Sequence, residues 1–260
     1  MKKSKVLTTF VVLVYIFLFA PLVIIAMTSI GTENYIAFPP KGFSLQWFIT
    51  VFKSESVIKS MGTSFLISTV STLSALVIGM PAAYGLSRYN FKGKDILKSF
   101  FFSPLIVPGI VVGFSLFQFL LVKMNLSVYA SLFIGHTLII IPYIIRVVGS
   151  SLEGFDYSIE EAAMSLGCKK SQTFFKVVLP NITSGVMAAF MLAFINSFNN
   201  VPVSIFLTGP GVSTLPTTMM NYVEYNYDPT VSALSVILMI LTIGIMYILE
   251  KTLGLNNFAG

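Results

Sequence analysis

The stretch SIEEAAMSLGCKKSQTFFKVVLP, Ser158–Pro180, is the most hydrophilic long segment of an otherwise apolar chain. Ser158 followed three residues later by Glu161 is the pattern of a capping box, which predicts that a helix begins here. Gly167 then permits a sharp exit or a close backbone approach, and a short amphipathic helix is expected to run to the closing proline. The stretch therefore predicts a compact helix-turn-helix whose first helix presents a flat surface at Ala162–Ala163.

The composition around this stretch is that of a membrane protein. Hydrophobic residues make up 55% of the 260 residues and charged residues 10%, whereas soluble domains have about 25% charged residues. Apolar runs reach about 20 residues, the length that crosses a bilayer, and a helix satisfies its own backbone groups in lipid. We therefore predict an all-α integral membrane protein with one domain over residues 1–260 and six spans. The spans are expected at about Val6–Ser29, Ser60–Leu86, Leu97–Val122, Leu126–Val148, Ile182–Leu207 and Thr230–Leu249.

The placement of lysine and arginine predicts the orientation of the spans. The N-terminus, the loops after the second and fourth spans and the C-terminal tail hold twelve of these residues, and the opposite loops hold four. The richer side is the cytoplasmic one, so both termini and the stretch from Ser158 are expected in the cytoplasm. The first span follows Lys2, Lys3 and Lys5, but it exceeds the about 7–15 apolar residues of a signal peptide and is expected to be retained. The net charge of +6 is interpreted as this topology signal, not as nucleic-acid binding.

Two longer loops are expected to face outward, Gly31–Lys59 and Thr208–Pro229. They are rich in turn residues and aromatic residues, among them Trp47 and Tyr225. Such aromatic residues fit an interfacial belt, and docking of an external partner is the alternative.

The spacing of residues within the opening stretch also carries a family resemblance. Glu161–Ala163 is followed after three residues by Gly167, and then by Val177 and Leu179-Pro180. This pattern resembles the EAA signature of permease subunits of bacterial binding-protein-dependent ABC importers, with Val177 in place of the usual isoleucine. As in that family, the motif lies before the penultimate of six spans.

Two further segments extend the resemblance to essentially the whole chain. PAAYGLSRYNFKGK, Pro81–Lys94, is similar to the family's segment after the second span, and Ser204–Leu238 is similar to the spermidine/putrescine, PotC-like branch. The resemblance implies a type I-like importer fold in the bacterial cytoplasmic membrane. It also implies three partners: an ABC ATPase subunit, a second homologous permease subunit and an extracytoplasmic solute-binding protein. ATP and Mg would bind to the ATPase, and this chain would bind no cofactor.

The resemblance further implies a role for the motif, because in the family it forms a cytoplasmic coupling helix between spans four and five. That helix seats in a groove of the ATPase subunit. The residues expected to couple this chain to the ATPase are Glu160, Glu161, Ala162, Ala163, Ser165, Leu166, Gly167, Leu179 and Pro180.

Several kinds of chemistry have no residues to support them. The chain has no P-loop motif, so it is expected neither to bind ATP by that device nor to be an enzyme. His136 and Cys168 are the only residues of their types, so no metal site and no catalytic residue is predicted. Cys168 is expected to be a plain small residue, and His136 to join helices or to lie in the substrate path. No acid or base lies deep in a span, which disfavours a proton-driven pump. A self-sufficient channel or secondary transporter is the alternative to an ATP-driven importer.

The most polar part of the predicted spans is the substrate-pathway candidate. Asn196, Asn199 and Asn200 fall at i, i+3 and i+4, on one face of a helix, and Ser204 adds a hydroxyl. Pro202 is expected to free a backbone carbonyl and to bend the helix toward a cavity. These side chains are expected either to contact solute or to pack between helices.

The resemblance leaves the solute open at this point, because the polyamine permeases tend to have an acidic residue or pair in place of Asn199-Asn200. Amides supply hydrogen-bond donors and acceptors but no charge. The expected solute is therefore polyamine-like, or a zwitterionic amino-acid-like or organophosphonate compound.

Overall fold

The computed structural model describes residues 5–252, and this part of the chain is helical without any β-strand. Lys2 and Lys3, which contribute to the predicted orientation, lie outside the described residues. The helices are α1 Lys5–Thr28, α2 Gln46–Lys53, α3 Glu55–Arg88, α4 Lys94–Ile106, α5 Gly109–Leu116, π1 Phe117–Lys123, α6 Val128–Glu153, α7 Tyr157–Ser165, α8 Lys170–Thr173, π2 Phe174–Val178, α9 Leu179–Asn181, α10 Thr183–Phe198, α11 Ser204–Leu207, α12 Leu215–Tyr225 and α13 Thr230–Thr252. The predicted all-α fold is confirmed.

The described residues divide into two compact units, 5–59 with Thr218–Ile245, and Ser60–Thr217 with 246–252. In the first unit, the Thr28 hydroxyl donates to Ser232 Oγ over 3.0 Å and joins the end of α1 to the start of α13. The Trp47 indole donates to the Gly31 carbonyl over 2.8 Å. This bond fastens the segment between α1 and α2 back onto the end of α1.

The core of the second unit lies where α6 packs along α10. Ile140, Ile144 and Val148 of α6 are buried, as are Ala189 and Ala193 of α10. Large aliphatic side chains on one helix thus face small side chains on the other. Small residues allow backbones to approach closely, which is how helices associate in lipid.

Two glycines, one on α10 and one on α3, allow these helices to approach α6 more closely than any other residue would. A Cβ built on Gly185 of α10 would overlap the Ser151 hydroxyl of α6. A Cβ on Gly79 of α3 would lie 2.8 Å from Cγ2 of Ile144. These two glycines therefore fix how α3 and α10 sit against α6.

Within residues 5–252, four helices are long and apolar enough to cross a membrane unbent, and there are up to six crossings if each of two bent pairs is one span. The third span bends by 96° between α4 and α5, and the fifth by 76° between α9 and α10. The bend after α4 falls at Val107, which is extended (ψ 133°) because the next residue is Pro108. The fifth span was expected to run to Leu207, but α10 ends at Phe198. That prediction is wrong because Pro202 has no N–H and disfavours a helical residue before it.

Candidate functional site

Helix α7 forms the first half of the opening stretch. Its N-cap is Asp156, whose side chain accepts a hydrogen bond from the Ser158 amide over 2.9 Å. The predicted capping box of Ser158 and Glu161 is therefore wrong, because an aspartate two residues earlier takes the capping position and Glu161 pairs elsewhere. The hydrogen bond favours the charged carboxylate and holds the pKa of Asp156 below its ordinary value.

The two acidic residues of α7 attach it to the end of α3. Glu160 is buried, at 4% exposure, and its Oε1 accepts a hydrogen bond from the Tyr84 hydroxyl over 2.7 Å. Nε of Arg88 lies 3.5 Å from Oε2 of Glu160, and Nη2 of Arg88 donates to Oε1 of Glu161 over 2.8 Å. Oε2 of Glu160 accepts no hydrogen bond within the described residues. The Arg88 charge is thus what compensates that buried oxygen, since an uncompensated buried charge is costly.

A tyrosine adds a third attachment between the same helices. The Tyr157 hydroxyl donates to Ser87 Oγ over 2.9 Å, and the Arg88 guanidinium carbon lies 4.9 Å from the Tyr157 ring centroid. Burial raises the pKa of Tyr157. Arg88 therefore contacts three residues of α7, so α7 and the last turn of α3 are held together as one piece.

Gly167 ends α7 in the left-handed backbone conformation, with φ of +93°. Its amide donates to the Met164 carbonyl over 3.0 Å, and the Cys168 amide donates to the Ala163 carbonyl over 3.2 Å. These two bonds form a Schellman turn. Apart from Gly167 and its two chain neighbours, no heavy atom of the described residues lies within 4 Å of the place where a Cβ would stand. Backbone conformation, not lack of space inside the chain, selects glycine here.

The exposed surface at the end of α7 consists of small side chains and one leucine. Ala162 and Ser165 are exposed, Ala163 is half-buried, and Leu166 is 88% exposed. A leucine that is almost fully exposed at the end of a capped helix is available to a partner.

The second half of the opening stretch is one helical segment made of α8, π2 and α9. Leu179 is half-buried and packs against the core of the second unit, whereas Pro180 is exposed. The helix was expected to end at Pro180 and instead continues to Asn181. Pro180 therefore lies inside a continuous helical segment, just after the π turn Phe174–Val178 and just before the 76° bend that follows Asn181, and sharp kinks in helices occur at prolines and π turns.

A cavity of about 200 Å³ opens beside the break between α10 and α11. Tyr143, Asn196 and Asn200 line it together with apolar residues, and none of the lining residues carries a charge. Asn196 donates to the Leu192 carbonyl over 2.8 Å, and Oδ1 of Asn200 accepts from the Val203 amide over 3.0 Å.

Only part of the predicted polar pathway set lines this cavity. The prediction that three asparagines share one helical face is wrong, because α10 ends at Phe198 and both Asn199 and Asn200 lie beyond it. Asn199 is exposed and is not among the residues that line the cavity. The amide of Asn200 replaces a lost helical bond by capping the turn that leads into α11.

His136 joins the two ends of this break from inside the unit. It is buried, its Nδ1 lies 2.8 Å from Ser197 Oγ, and its Nε2 lies 3.0 Å from Ser204 Oγ. The Ser204 hydroxyl donates to the Asn200 carbonyl over 2.6 Å. Its oxygen is therefore the acceptor for Nε2–H, and Nδ1 accepts from Ser197. Ser204, predicted in the pathway, instead belongs to this buried network.

Sequence reasoning used Arg88 only as a topology signal and did not single out Tyr84 or Asp156. Arg88 and Glu161 are 73 residues apart, so no local pattern relates them. The available signal was a lone arginine at the end of a predicted span, on the same side as the paired acids.

The described helices, with up to six crossings and a short exposed helix before the fifth, are those of a multi-pass integral membrane protein. The chain belongs to the family of binding-protein-dependent transport system inner membrane components, whose sequence profile matches residues 75–254. It is a multi-pass inner-membrane permease, as the EAA resemblance predicts.

Two relatives from Escherichia coli (strain K12) and one solved structure illustrate the likeness. The spermidine/putrescine transport system permease protein PotC is 29% identical over 252 residues, which cover 96% of this chain and 94% of that protein. The putrescine transport system permease protein PotI is 27% identical over 232 residues, with coverage of 86% and 82%. A bacterial alginate ABC transporter, solved with an alginate pentasaccharide-bound periplasmic protein, has a chain with a TM-score of 0.73 at 15% identity; the match covers 95% of this chain and 91% of that one. The predicted resemblance to the PotC-like branch is confirmed.

Proposed function

We propose that this chain is the transmembrane permease subunit of an ATP-driven importer for a small polar solute. It works as a single domain over residues 1–260 with both termini in the cytoplasm. An extracytoplasmic binding protein delivers the solute, and a second homologous permease completes the path. ATP and Mg bind to a separate ATPase subunit, so this chain is not an enzyme and holds no cofactor or metal.

The observation that carries this proposal is the attachment of α7 to α3 through Arg88. An ATPase that moves α7 would move the end of a helix of 34 residues, because Glu160, Glu161 and Tyr157 all hold Arg88. ATP binding would then bias one of two bundle states through different contacts at α7 in each state.

The expected coupling residues divide into two groups under this proposal. Glu160, Glu161 and Leu179 hold the coupling segment to the rest of the second unit. The exposed or half-exposed group would face the ATPase: Ala162, Ala163, Ser165, Leu166, Gly167 and Pro180.

Truncation of the exposed leucine tests the contact with the ATPase. Leu166→Ala should weaken association with the ATPase subunit by about tenfold. The truncation removes about 1.5 kcal/mol of the transfer free energy that the leucine side chain would gain when the ATPase buries it. Phe43→Ala is the matched control, because Phe43 is 71% exposed and lies in a loop predicted to face outward. Association is measured between purified subunits in nanodiscs. Equal affinities for wild type and Leu166→Ala would contradict the docking of α7, and solute transport without any ATPase subunit would favour a self-sufficient channel or secondary transporter.

The solute is proposed to pass the cavity lined by Asn196 and Asn200. The names of the relatives support a polyamine-like solute, and the uncharged lining suits a zwitterionic amino-acid-like or organophosphonate compound as well. Asn200→Asp places a carboxylate at the cavity and should favour transport of putrescine over a zwitterion. Asn199→Asp is its control, because the neighbouring side chain is exposed and does not line the cavity. Unchanged preferences for Asn200→Asp would remove this cavity from the pathway.

A further inference from the structure

A second and larger cavity, of about 300 Å³, lies where α3 ends, α4 begins and α6 ends. Its floor is apolar and includes Ala83, Leu86 and Ile145, all of them buried. Its rim is polar and includes Lys98 and Arg146. The cavity therefore combines an apolar floor with two cationic side chains.

The two cations of the rim have no partner in the part of the chain that the structure describes. Neither Lys98 nor Arg146 is in an ion pair or a side-chain hydrogen bond there, whereas Arg88 nearby is paired with two acids. Glu153 also lines the cavity, but it lies seven residues after Arg146 on α6. Seven residues rise about 10 Å along a helix, so the carboxylate stands apart from the guanidinium. The three charges sum to +1.

The position of the cavity along the helices matches the headgroup level of a bilayer. Lys98 is four residues after the start of α4, and Arg146 is seven residues before the end of α6. Both residues lie within about 10 Å of helix ends, on the side predicted to be cytoplasmic.

We propose that this cavity binds the phosphodiester head group of an anionic phospholipid from the cytoplasmic leaflet. The single net positive charge matches the one negative charge of a phosphodiester, and the apolar floor would accept the first carbons of the lipid. Basic pockets between helices on the cytoplasmic side bind lipid head groups in this way. The proposal depends on the cytoplasmic orientation of this end but not on which solute is transported.

Occupancy of the cavity bears directly on the coupling helix. Ser87 lines the cavity and also accepts the hydrogen bond of the Tyr157 hydroxyl at the start of α7. A head group bound in the cavity would thus lie beside the residue that fastens α7 to α3.

Native mass spectrometry of the full importer complex tests the binding without ATP or solute. The complex is offered phosphatidylglycerol and phosphatidylcholine with the same acyl chains. The paired change Lys98→Gln with Arg146→Gln should weaken phosphatidylglycerol binding about 25-fold, since each cation contributes about fivefold near an anionic surface. Lys92→Gln is the matched control, because Lys92 is an exposed lysine in the loop between α3 and α4 that does not line the cavity.

A variant that is expected to bind lipid more tightly distinguishes a specific effect from misfolding, because a misfolded variant would lose binding. Glu153→Gln removes the one acid among the described residues that line the cavity, so it should strengthen phosphatidylglycerol binding about fivefold. Equal binding by wild type and the paired variant would overturn the proposal, as would equal binding of phosphatidylcholine. Displacement of the lipid by inorganic phosphate would show a site for a soluble anion instead. The experiment measures bound lipid, so a negative result would contradict the lipid site without contradicting the proposed transport function.

Discussion

Gly167 offers the sharpest test of what the end of α7 requires. Its φ of +93° lies in a region that costs other residues about 1–2 kcal/mol. Beyond its two chain neighbours, no heavy atom in the described part of the chain stands within 4 Å of an ideal Cβ at this position. The whole cost of a substitution within the chain is thus conformational. Gly167→Ala should reduce the population of the Schellman turn about 5- to 30-fold relative to competing turns.

At the same position, asparagine should cost less conformational free energy than alanine, and valine should cost more. Asparagine adopts the left-handed conformation more readily than other residues with a side chain, whereas a β-branched residue is a genuine outlier there. Solute-stimulated ATP hydrolysis should therefore fall in the order glycine, asparagine, alanine, valine at position 167. The assay uses complexes matched for assembly, and proteolysis after α7 reports the turn itself.

The size order of the side chains separates this reasoning from simple exclusion by the partner. Asparagine is larger than alanine, so a groove that admits no Cβ would inactivate Gly167→Asn at least as strongly as Gly167→Ala. That outcome, or wild-type coupling for Gly167→Val, would refute the conformational argument.

Three further outcomes are expected. Gly185→Ala should destabilise the subunit by about 1–3 kcal/mol in thermal unfolding, because its Cβ overlaps the Ser151 hydroxyl, and Ser151→Gly in the same chain should restore most of the loss. His136→Leu should lower the melting temperature by breaking both buried hydrogen bonds, at about 1–3 kcal/mol for the Ser197 hydroxyl left unpaired, while Ser204 keeps its bond to the Asn200 carbonyl, and an unchanged melting temperature would deny the network a structural role. In a chain whose native cysteine is serine, a cysteine at Trp47 should react with an impermeant reagent from outside and one at Lys170 should not; the reverse pattern would invert the orientation.

Bilayer-length apolar runs are a local property, so the sequence was sufficient to predict the helical class and the approximate spans. Whether a proline breaks its helix, in contrast, could not be predicted from the local sequence. Pro81 and Pro142 lie inside unbroken helices, whereas α4 ends just before Pro108 and α10 ends before Pro202. Because a proline frees the same groups in every helix, the surroundings decide whether the helix breaks. At the break before α11, the side chain of Asn200, which lies within the break, accepts a hydrogen bond from the Val203 amide and so caps the turn that follows.

The opening stretch shows the same limit at the candidate site. The motif acids were correctly placed on a short helix before the fifth span, but their partners Tyr84 and Arg88 come from a helix more than 70 residues earlier. Burial of Glu160 follows from that packing, not from its neighbours in sequence. Side-chain pairing across such separations has no periodic signature, so it was not available from the sequence.

The early end of α10 also places a helix pole beside the smaller cavity. Aligned peptide dipoles place about half a negative charge at the C-terminal end of a helix and about half a positive charge at the N-terminal end. Asn196 stands in the last turn of α10 and lines the cavity, so that negative pole lies beside it. Gly109 is the first residue of α5 and lines the same cavity, so a positive pole lies there as well. With amides in place of acids at positions 199 and 200, the backbone thus supplies partial charges of both signs, an arrangement that suits a solute carrying both charges.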